Sequence, residues 1–345
     1  MDRLYLDEFN PQTELVTAVN DVRTPRFPVI DMHAHLGPML LGSDYAQAYD
    51  TLSLKQTLQA CGVERMVSLE LVWDDAYARL LEKLAPGGDF FAVFPSVDVS
   101  RFEDSGFESM VYRTLASYKR DGVKGIKLWK NITLSVTGSS GARLRLDEPR
   151  LAPVFAYAGA LGIPIVIHIG DPPPFFKPNG AGNEYYSCLY KHPEWSFCKP
   201  GMPSFEAHLE MQEKMLAAHP ATQFVIAHIG SYAENLARVS EWLVRYPNMN
   251  VDISARVDQL GRQPFAAREF LIAHQDRILF GTDFETGITP PDFYATHYRF
   301  METKDEYFDH PFAGFLCKWK IYGVDLPAPV LEKIYRLNAR RILGL

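Results

Sequence analysis

The sequence predicts a (β/α)8 barrel running from about residue 27 to the C-terminus, and three observations carry that prediction. Short segments rich in Val, Ile, Leu and Phe recur over 27–33, 63–70, 90–98, 123–129, 164–170, 223–229, 249–254 and 277–282. Helix-forming stretches separate them, and near-continuous apolar strands alternating with helices describe a parallel sheet covered on its faces. Polar side chains collect at the C-terminal end of one strand after another, and in a closed barrel those ends surround one mouth. A doubly wound open sheet fits the first two observations; the third favours the barrel.

The first strand sits in the run Val29-Ile30-Asp31-Met32-His33-Ala34-His35-Leu36-Gly37. Residues two apart on a strand share a face, so His33 and His35 can converge on one cation. Gly37 and Pro38 then break the strand. Imidazole nitrogen suits zinc, iron or nickel. The fourth strand presents Lys127, the fifth ends in His168, the sixth in His228 and the eighth in Asp283. One histidine at a strand end is an ordinary core residue. Four with a carboxylate around one mouth are hard to explain by packing, because each buried polar group needs a partner.

Between the strands, residues 147–161 read as a helix with Asp147 as N-cap. Leu151, Val154, Phe155 and Ala158 follow the i, i+3, i+4, i+7 pattern, and Gly162 is the stop. Residues 204–218, 233–245, 53–61, 74–84, 106–120, 264–274 and 328–343 complete the helical set. Residues 1–26 read as an irregular N-terminal arm packed outside a barrel domain over 27–345. Two long segments break the alternation. Residues 171–203 carry Phe175, Phe176, Tyr185, Tyr186, Tyr190, Trp195 and Phe197 among prolines, and 284–327 are also aromatic-rich. Loops of this length in a compact domain are functional lids or disordered, and the aromatic content predicts a lid over the mouth, with room for a homo-oligomer contact.

Composition narrows the function. The chain has 345 residues, 47% of them hydrophobic, enough for one barrel-sized core. A net charge of -7 argues against a nucleic-acid surface and offers no basic patch to lipid. The first twenty residues lack an apolar h-region, and no run is long enough to span a membrane. Cys61, Cys188, Cys198 and Cys317 form no CxxC pair, which reads as reduced thiols in a cytoplasmic protein.

The ordered set of HxH, two later strand-end histidines and a Gly281-Thr282-Asp283 aspartate resembles the amidohydrolase superfamily, and within it the amidohydrolase-2 branch. The resemblance extends from about Ile30 through the closing run Asn338-Ala339-Arg340-Arg341-Ile342-Leu343-Gly344. It implies one divalent metal, zinc by first choice, held by His33, His35, His168 and Asp283. His228 would stand beside it, orienting or polarising the substrate or binding a second metal. A cation with three imidazoles, one carboxylate and an open position acidifies its water and polarises a carbonyl, with Asp283 as the general base. In binuclear relatives a strand-four lysine is carboxylated and bridges two metals, so Lys127 has three readings: that bridge, an ammonium for a substrate carboxylate, or a side chain turned outward. Arg256 is placed to clamp a carboxylate. Asp171 is a partner for His168 or a turn residue, and Glu184, Tyr185 and Tyr186 are weaker candidates. His192, His208, His219, His274, His297 and His310 read as surface or capping residues.

The expected activity is metal-dependent hydrolysis of a small lactone, ester or amide. The alternative implied by the same branch is a non-oxidative decarboxylase of an aromatic or unsaturated acid, using Arg256 or Lys127 as cationic clamp. A barrel that binds a ligand without turning it over is the reading from another class, and the intact ligand set speaks against it. A metal-dependent nuclease with the same HxH opening would need basic groups that this acidic chain lacks.

Overall fold

Hydrogen bonds across two seams close the sheet into a barrel. A computed structural model of the chain describes residues 4, 5 and 8–345. The barrel strands are β1 (Val29–His35), β2 (Val63–Leu69), β3 (Phe91–Phe94), β4 (Ile126–Leu128), β5 (Ile165–Ile167), β6 (Phe224–Ile226), β7 (Met249–Asp252) and β8 (Ile278–Leu279). All pair in parallel, in the orders β3-β2-β1 and β4-β5-β6-β7-β8. At one seam Lys127 N donates to Pro95 O at 2.7 Å; at the other Met32 N donates to Phe280 O at 3.0 Å and Asp283 N to His33 O at 2.8 Å. Past Asp283 the short stretch Phe284–Glu285 pairs with Ala34 and His35, so the eighth strand continues beyond a break.

Several strands are shorter than the apolar runs that predict them, because the ladder ends where the chain turns outward to build the mouth. The sixth is the clearest case. It stops at Ile226, and His228, Ile229 and Ser231 follow with φ of 59°, 53° and 60°. A run of left-handed residues other than glycine is costly and is held here by its surroundings.

The barrel interior holds Ile30, Met32, Val67, Leu69, Phe94, Val166, Val225 and Leu279, and the C-terminal residues Ala339, Ile342 and Leu343 pack on the same cluster. The outer cluster takes Val29, Ala34 and Leu36 from the first strand. Ile30 and Met32 face inward, yet Ala34 faces outward. The pairing of β1 with β2 slips between Asp31 and Ala34, and this bulge exchanges the two faces. His33 and His35 therefore turn into the mouth.

The helix expected over 147–161 begins later, at Ala152, after a 3-10 turn over Pro149–Leu151. Asp147 is not its cap: its carboxylate pairs with Arg145 at 2.7 Å, and Glu148 accepts from Arg150 N. Gly162 does end the helix, at φ 64°. The last helix expected over 328–343 contains a π turn over Lys333–Leu337. There Ile334 O accepts from Phe280 N at 2.9 Å, which ties the widened turn to the barrel wall.

Part of the arm expected over 1–26 lies outside the described residues, namely 1–3, 6 and 7. Residues 10–23 form neither helix nor strand and are fixed to the body through Asn20, which donates to Asp305, and Arg23, which pairs with Asp292 at 2.6 Å. The segment 171–203 carries short helical turns over Pro173–Phe176, Tyr186–Lys191 and Pro193–Trp195. The segment 284–327 contains a long helix, Pro290–Glu302, and a small hairpin of Phe308–Asp309 with Lys320–Ile321. The two segments pack on each other through Phe175, Tyr185, Cys188, Leu189 and Cys317. No helix among the described residues is long and apolar enough to cross a membrane.

Candidate metal centre

The mouth gathers His33, His35 and Asp283 around one point. Asp283 Oδ1 lies 3.4 Å from His33 Nε2 and 3.2 Å from His35 Nε2. The three ligand atoms lie within 4.8 Å of one another, and so do those of His33, His228 and Asp252. Asp283 sits in the break of the eighth strand at φ 66°, a conformation that turns its carboxylate toward the histidine pair.

Hydrogen bonds assign the imidazole tautomers. His35 Nδ1 is 2.7 Å from Leu69 O, which only accepts, so Nδ1 carries the proton and Nε2 keeps its lone pair. His33 Nδ1 stands 2.9 Å from Asp252 Oδ2, with the same result. His228 Nδ1 faces Ser254 O at 2.8 Å, leaving its Nε2 to accept from His168 Nδ1 at 3.2 Å. His168 Nε2 is then a bare lone pair. It is buried without a hydrogen-bond partner among the described residues, as is His33 Nε2. Neutral imidazoles with buried, unpartnered lone pairs beside a carboxylate form a donor set suited to a divalent transition metal, and the residues fit the group that the sequence implies. His168, expected as a ligand, is in neither group of converging ligand atoms, and its Nε2 lies 3.6 Å from Asp171 Oδ1.

Protonation follows burial. Desolvation lowers the pKa of His33, brings His168 down to about 3 and takes His228 well below the usual imidazole value. Burial pushes Asp283 up, and positive charge on His33, His35 and His228 holds this carboxyl well below its ordinary range whenever those rings are protonated. The result is neutral histidines around a carboxylate.

A shell of acids that the sequence reading did not single out fixes this arrangement. Asp252 is wholly buried and accepts from His33 Nδ1, His228 N, Ser254 N and the Ser254 hydroxyl. Glu70 accepts from Leu36 N, Gly37 N and Met39 N at 2.8–3.1 Å, holding the turn after the histidine pair. A side chain at position 37 would strike Glu70, since a Cβ there would lie 2.8 Å from its carboxylate. Asp31 accepts from His33 N, Thr282 N, the Thr282 hydroxyl and the Tyr294 hydroxyl, joining the first strand to the eighth. Asn250, Asp252 and Ser254 alternate with apolar residues in the sequence. That period-2 polar face was the available signal.

Lys127 is fully buried and pairs in register with the inward-facing Val166, so it does not turn outward to a helix. Its Nζ has no hydrogen-bond partner among the described residues, and burial lowers its pKa to about 8 against the pull of Asp283, Asp252 and Glu70. Lys130 instead reaches the cavity and pairs with Asp171 at 2.5 Å. Arg256 also lines the cavity. Glu184 pairs with Arg262 at 2.8 Å, and Tyr185 is buried in the cap, where its hydroxyl accepts from Gln259. Three histidines expected at the surface or in caps are core residues. His208 bonds Ser204 O and the Thr133 hydroxyl, His297 packs against Phe280 and Phe293, and His310 bonds Cys317 O. Each lies on a helix or loop whose apolar neighbours draw it inward.

Above the centre lies a cavity of about 570 Å³. His35, His168 and Asp283 are at its base, and Trp129, Phe175, Trp195, Phe197 and Phe315 form its walls. The two long segments thus roof the mouth.

A sequence model of the amidohydrolase family matches residues 30–345. The chain belongs to the amidohydrolase family. The chain is similar in fold to 2,6-dihydroxybenzoate decarboxylase from Rhizobium, at 18% identity over 92% of this chain and 99% of that one, with a TM-score of 0.57. It is also similar to an amidohydrolase from Burkholderia multivorans with bound zinc, at 16% identity over 92% and 99% and a TM-score of 0.54. A third relative in fold is 5-carboxyvanillate decarboxylase from Sphingomonas paucimobilis, at 13% identity over 92% and 99% and a TM-score of 0.54. No curated protein matches the chain. The family and these neighbours are enzymes, and their fold is the barrel that the strand pattern predicts.

Proposed function

We propose that this amidohydrolase is a metal-dependent hydrolase acting on a small lactone, ester or amide. His33, His35, His168 and Asp283 hold one divalent metal, zinc by first choice. When bound, the metal supplies Lewis acidity, polarising the carbonyl and acidifying water. Asp283 accepts the proton of the attacking water and passes it to the leaving group. His228 accepts from His168 Nδ1 at 3.2 Å and so holds the His168 ring with its Nε2 lone pair free. The aromatic walls stack on the apolar part of the substrate, and Arg256 holds an anionic substituent. Lys127, buried and without a hydrogen-bond partner among the described residues, would help to hold a second metal only if its amine were carboxylated.

The observation that carries this reading is the position of Asp283. Its carboxylate touches the lone-pair nitrogens of His33 and His35, and its side chain keeps 26% of its surface open to the cavity. That combination suits a general base that must meet water. A decarboxylase of an aromatic acid is the second reading, supported by aromatic walls together with a cationic Arg256 in the same cavity.

The test is zinc-reconstituted protein assayed against lactones, esters, amides and aromatic acids, scoring acid production and CO₂ separately. Hydrolysis that disappears in Asp283→Asn supports the first reading. CO₂ release without hydrolysis transfers the assignment to the second, and binding without turnover of any compound would leave a ligand-binding barrel.

A further inference from the structure

Lys130 and Asp171 form an ion pair in the wall of the cavity, and the proposed reaction uses neither. Lys130 follows β4, where its carbonyl accepts from Thr133 N and Leu134 N at 3.1 Å and so starts the short helical turn Asn131–Leu134. Asp171 follows β5. Lys130 Nζ donates to Asp171 Oδ2 at 2.5 Å, and both residues line the cavity. The ammonium lies 5.4 Å from the ring centroid of Trp129 and 5.5 Å from that of Phe197, two of the aromatic walls. The carboxylate and the two ring faces together hold the cation in one place.

Hydrogen-bonding capacity is left over on both partners. An ammonium carries three donors, and each carboxylate oxygen is an acceptor. Among the described residues, the 2.5 Å contact is the one side-chain hydrogen bond that either makes. Asp171 Oδ1 stands 3.6 Å from His168 Nε2, a lone pair that cannot donate to it. The two side chains keep 17% and 13% of their surface open. The pair thus presents a donor beside an acceptor, and it is neutral as a whole. Arg256, across the same cavity, forms no ion pair among the described residues and keeps its positive charge for an anion.

We propose that Lys130 and Asp171 are specificity-determining residues that read a hydroxyl group carried on the apolar ring of the substrate. A hydroxyl accepts and donates through a single oxygen. It takes one ammonium hydrogen on that oxygen and gives its own hydrogen to Asp171 Oδ1, while its ring lies against Trp129 and Phe197. The inference rests on the reading of this cavity as the substrate site and deepens it by naming a class, the hydroxylated aromatic acid derivatives. Their hydroxyl is held on the side of β4 and β5 and their anionic group on Arg256 after β7, with β6 between. A substrate with a methyl group in place of the hydroxyl leaves the ammonium and the carboxylate facing apolar surface, which is costly once water is excluded.

The test measures calorimetric binding of 3- and 4-hydroxybenzoate to the zinc-loaded full chain, each against the methylbenzoate of the same substitution, since a methyl group fills the space of a hydroxyl without its hydrogen bonds. At least one hydroxybenzoate is expected to bind roughly tenfold or more tightly than its methyl counterpart. Lys130→Met and Asp171→Asn should each cut that preference to about threefold or less, with zinc content unchanged. Asp171→Asn keeps the shape of the side chain and carries the test if Lys130→Met does not fold. The proposal is overturned if wild type does not prefer either hydroxyl compound, or if both variants keep the wild-type preference. Loss of zinc in Asp171→Asn would also overturn it, because Asp171 would then serve the metal and not the substrate. Binding is read without turnover, and Asp283-dependent hydrolysis is followed in a separate assay, so either reading can fail alone.

Discussion

His33 Nδ1 stands 2.9 Å from Asp252 Oδ2, and neither side chain is exposed to solvent. The carboxylate turns the imidazole and fixes its tautomer, so that Nε2 faces Asp283 with a free lone pair. Partners of this kind raise the basicity of a ligating histidine, and losing one typically costs 10- to 100-fold in metal affinity.

Asp252→Asn is therefore expected to weaken zinc binding by about one to two orders of magnitude. The fold should survive, because the amide oxygen still accepts from part of the same donor set. Competition against a chromophoric chelator measures the affinity. A wild-type value would mean that the pair does not orient His33.

The first strand shows how far the sequence could be read. The spacing of His33 and His35 announced a shared face, and the parallel strand pattern with polar ends announced the barrel. The bulge between Asp31 and Ala34 was not legible, because it depends on pairing with a strand about 35 residues away. Strict alternation places Asp31 with the histidines; the bulge separates them and frees Asp31 to bond Thr282 and Tyr294. Lys127 could not be oriented by spacing alone, and its register opposite Val166 decides the face. His208, His297 and His310 were misread because local polarity says little about tertiary burial.

Asp283→Asn is expected to lower turnover by at least about a hundredfold while retaining much of the bound zinc, since the amide oxygen still ligates weakly but cannot accept a proton. His33→Ala should lose metal and activity together. Metal content by atomic emission, measured beside turnover, distinguishes the two. Near-normal turnover in Asp283→Asn would rule out the base assignment.

His297 predicts a pH dependence of stability away from the centre. Its ring is wholly buried between Phe280 and Phe293, and burial lowers its pKa from 6.5 to about 4. Above the unfolded value both states are neutral and the residue contributes no slope. Between 6.5 and about 4 the unfolded chain binds the proton and the native state does not, so stability falls with pH, by up to on the order of 3 kcal/mol. His297→Gln should have a smaller loss of urea midpoint over this window than wild type. Parallel curves for the two proteins would show that His297 does not titrate as its burial requires.

The last prediction concerns the roof. Trp195 and Phe315 face each other with ring centroids 5.3 Å apart, one from each long segment, and both line the cavity above the metal centre. Phe175, Tyr185, Leu189 and Cys317 behind them are buried and hold the segments together, so removing residues 175–198 would disturb folding as well as recognition. Trp195 and Phe315 are better probes. Phe315 is 53% exposed and Trp195 only partly buried, so each loses little stability on truncation. A stacked aromatic contact contributes about 0.5–1.5 kcal/mol, and the pair acts on the same ligand. Trp195→Ala combined with Phe315→Ala is thus expected to raise KM by roughly tenfold or more, with zinc content and melting temperature close to wild type. An unchanged KM for every substrate found would mean that these segments shelter the mouth without gripping what enters it. A fall in zinc content would instead mean that the roof supports the ligands themselves.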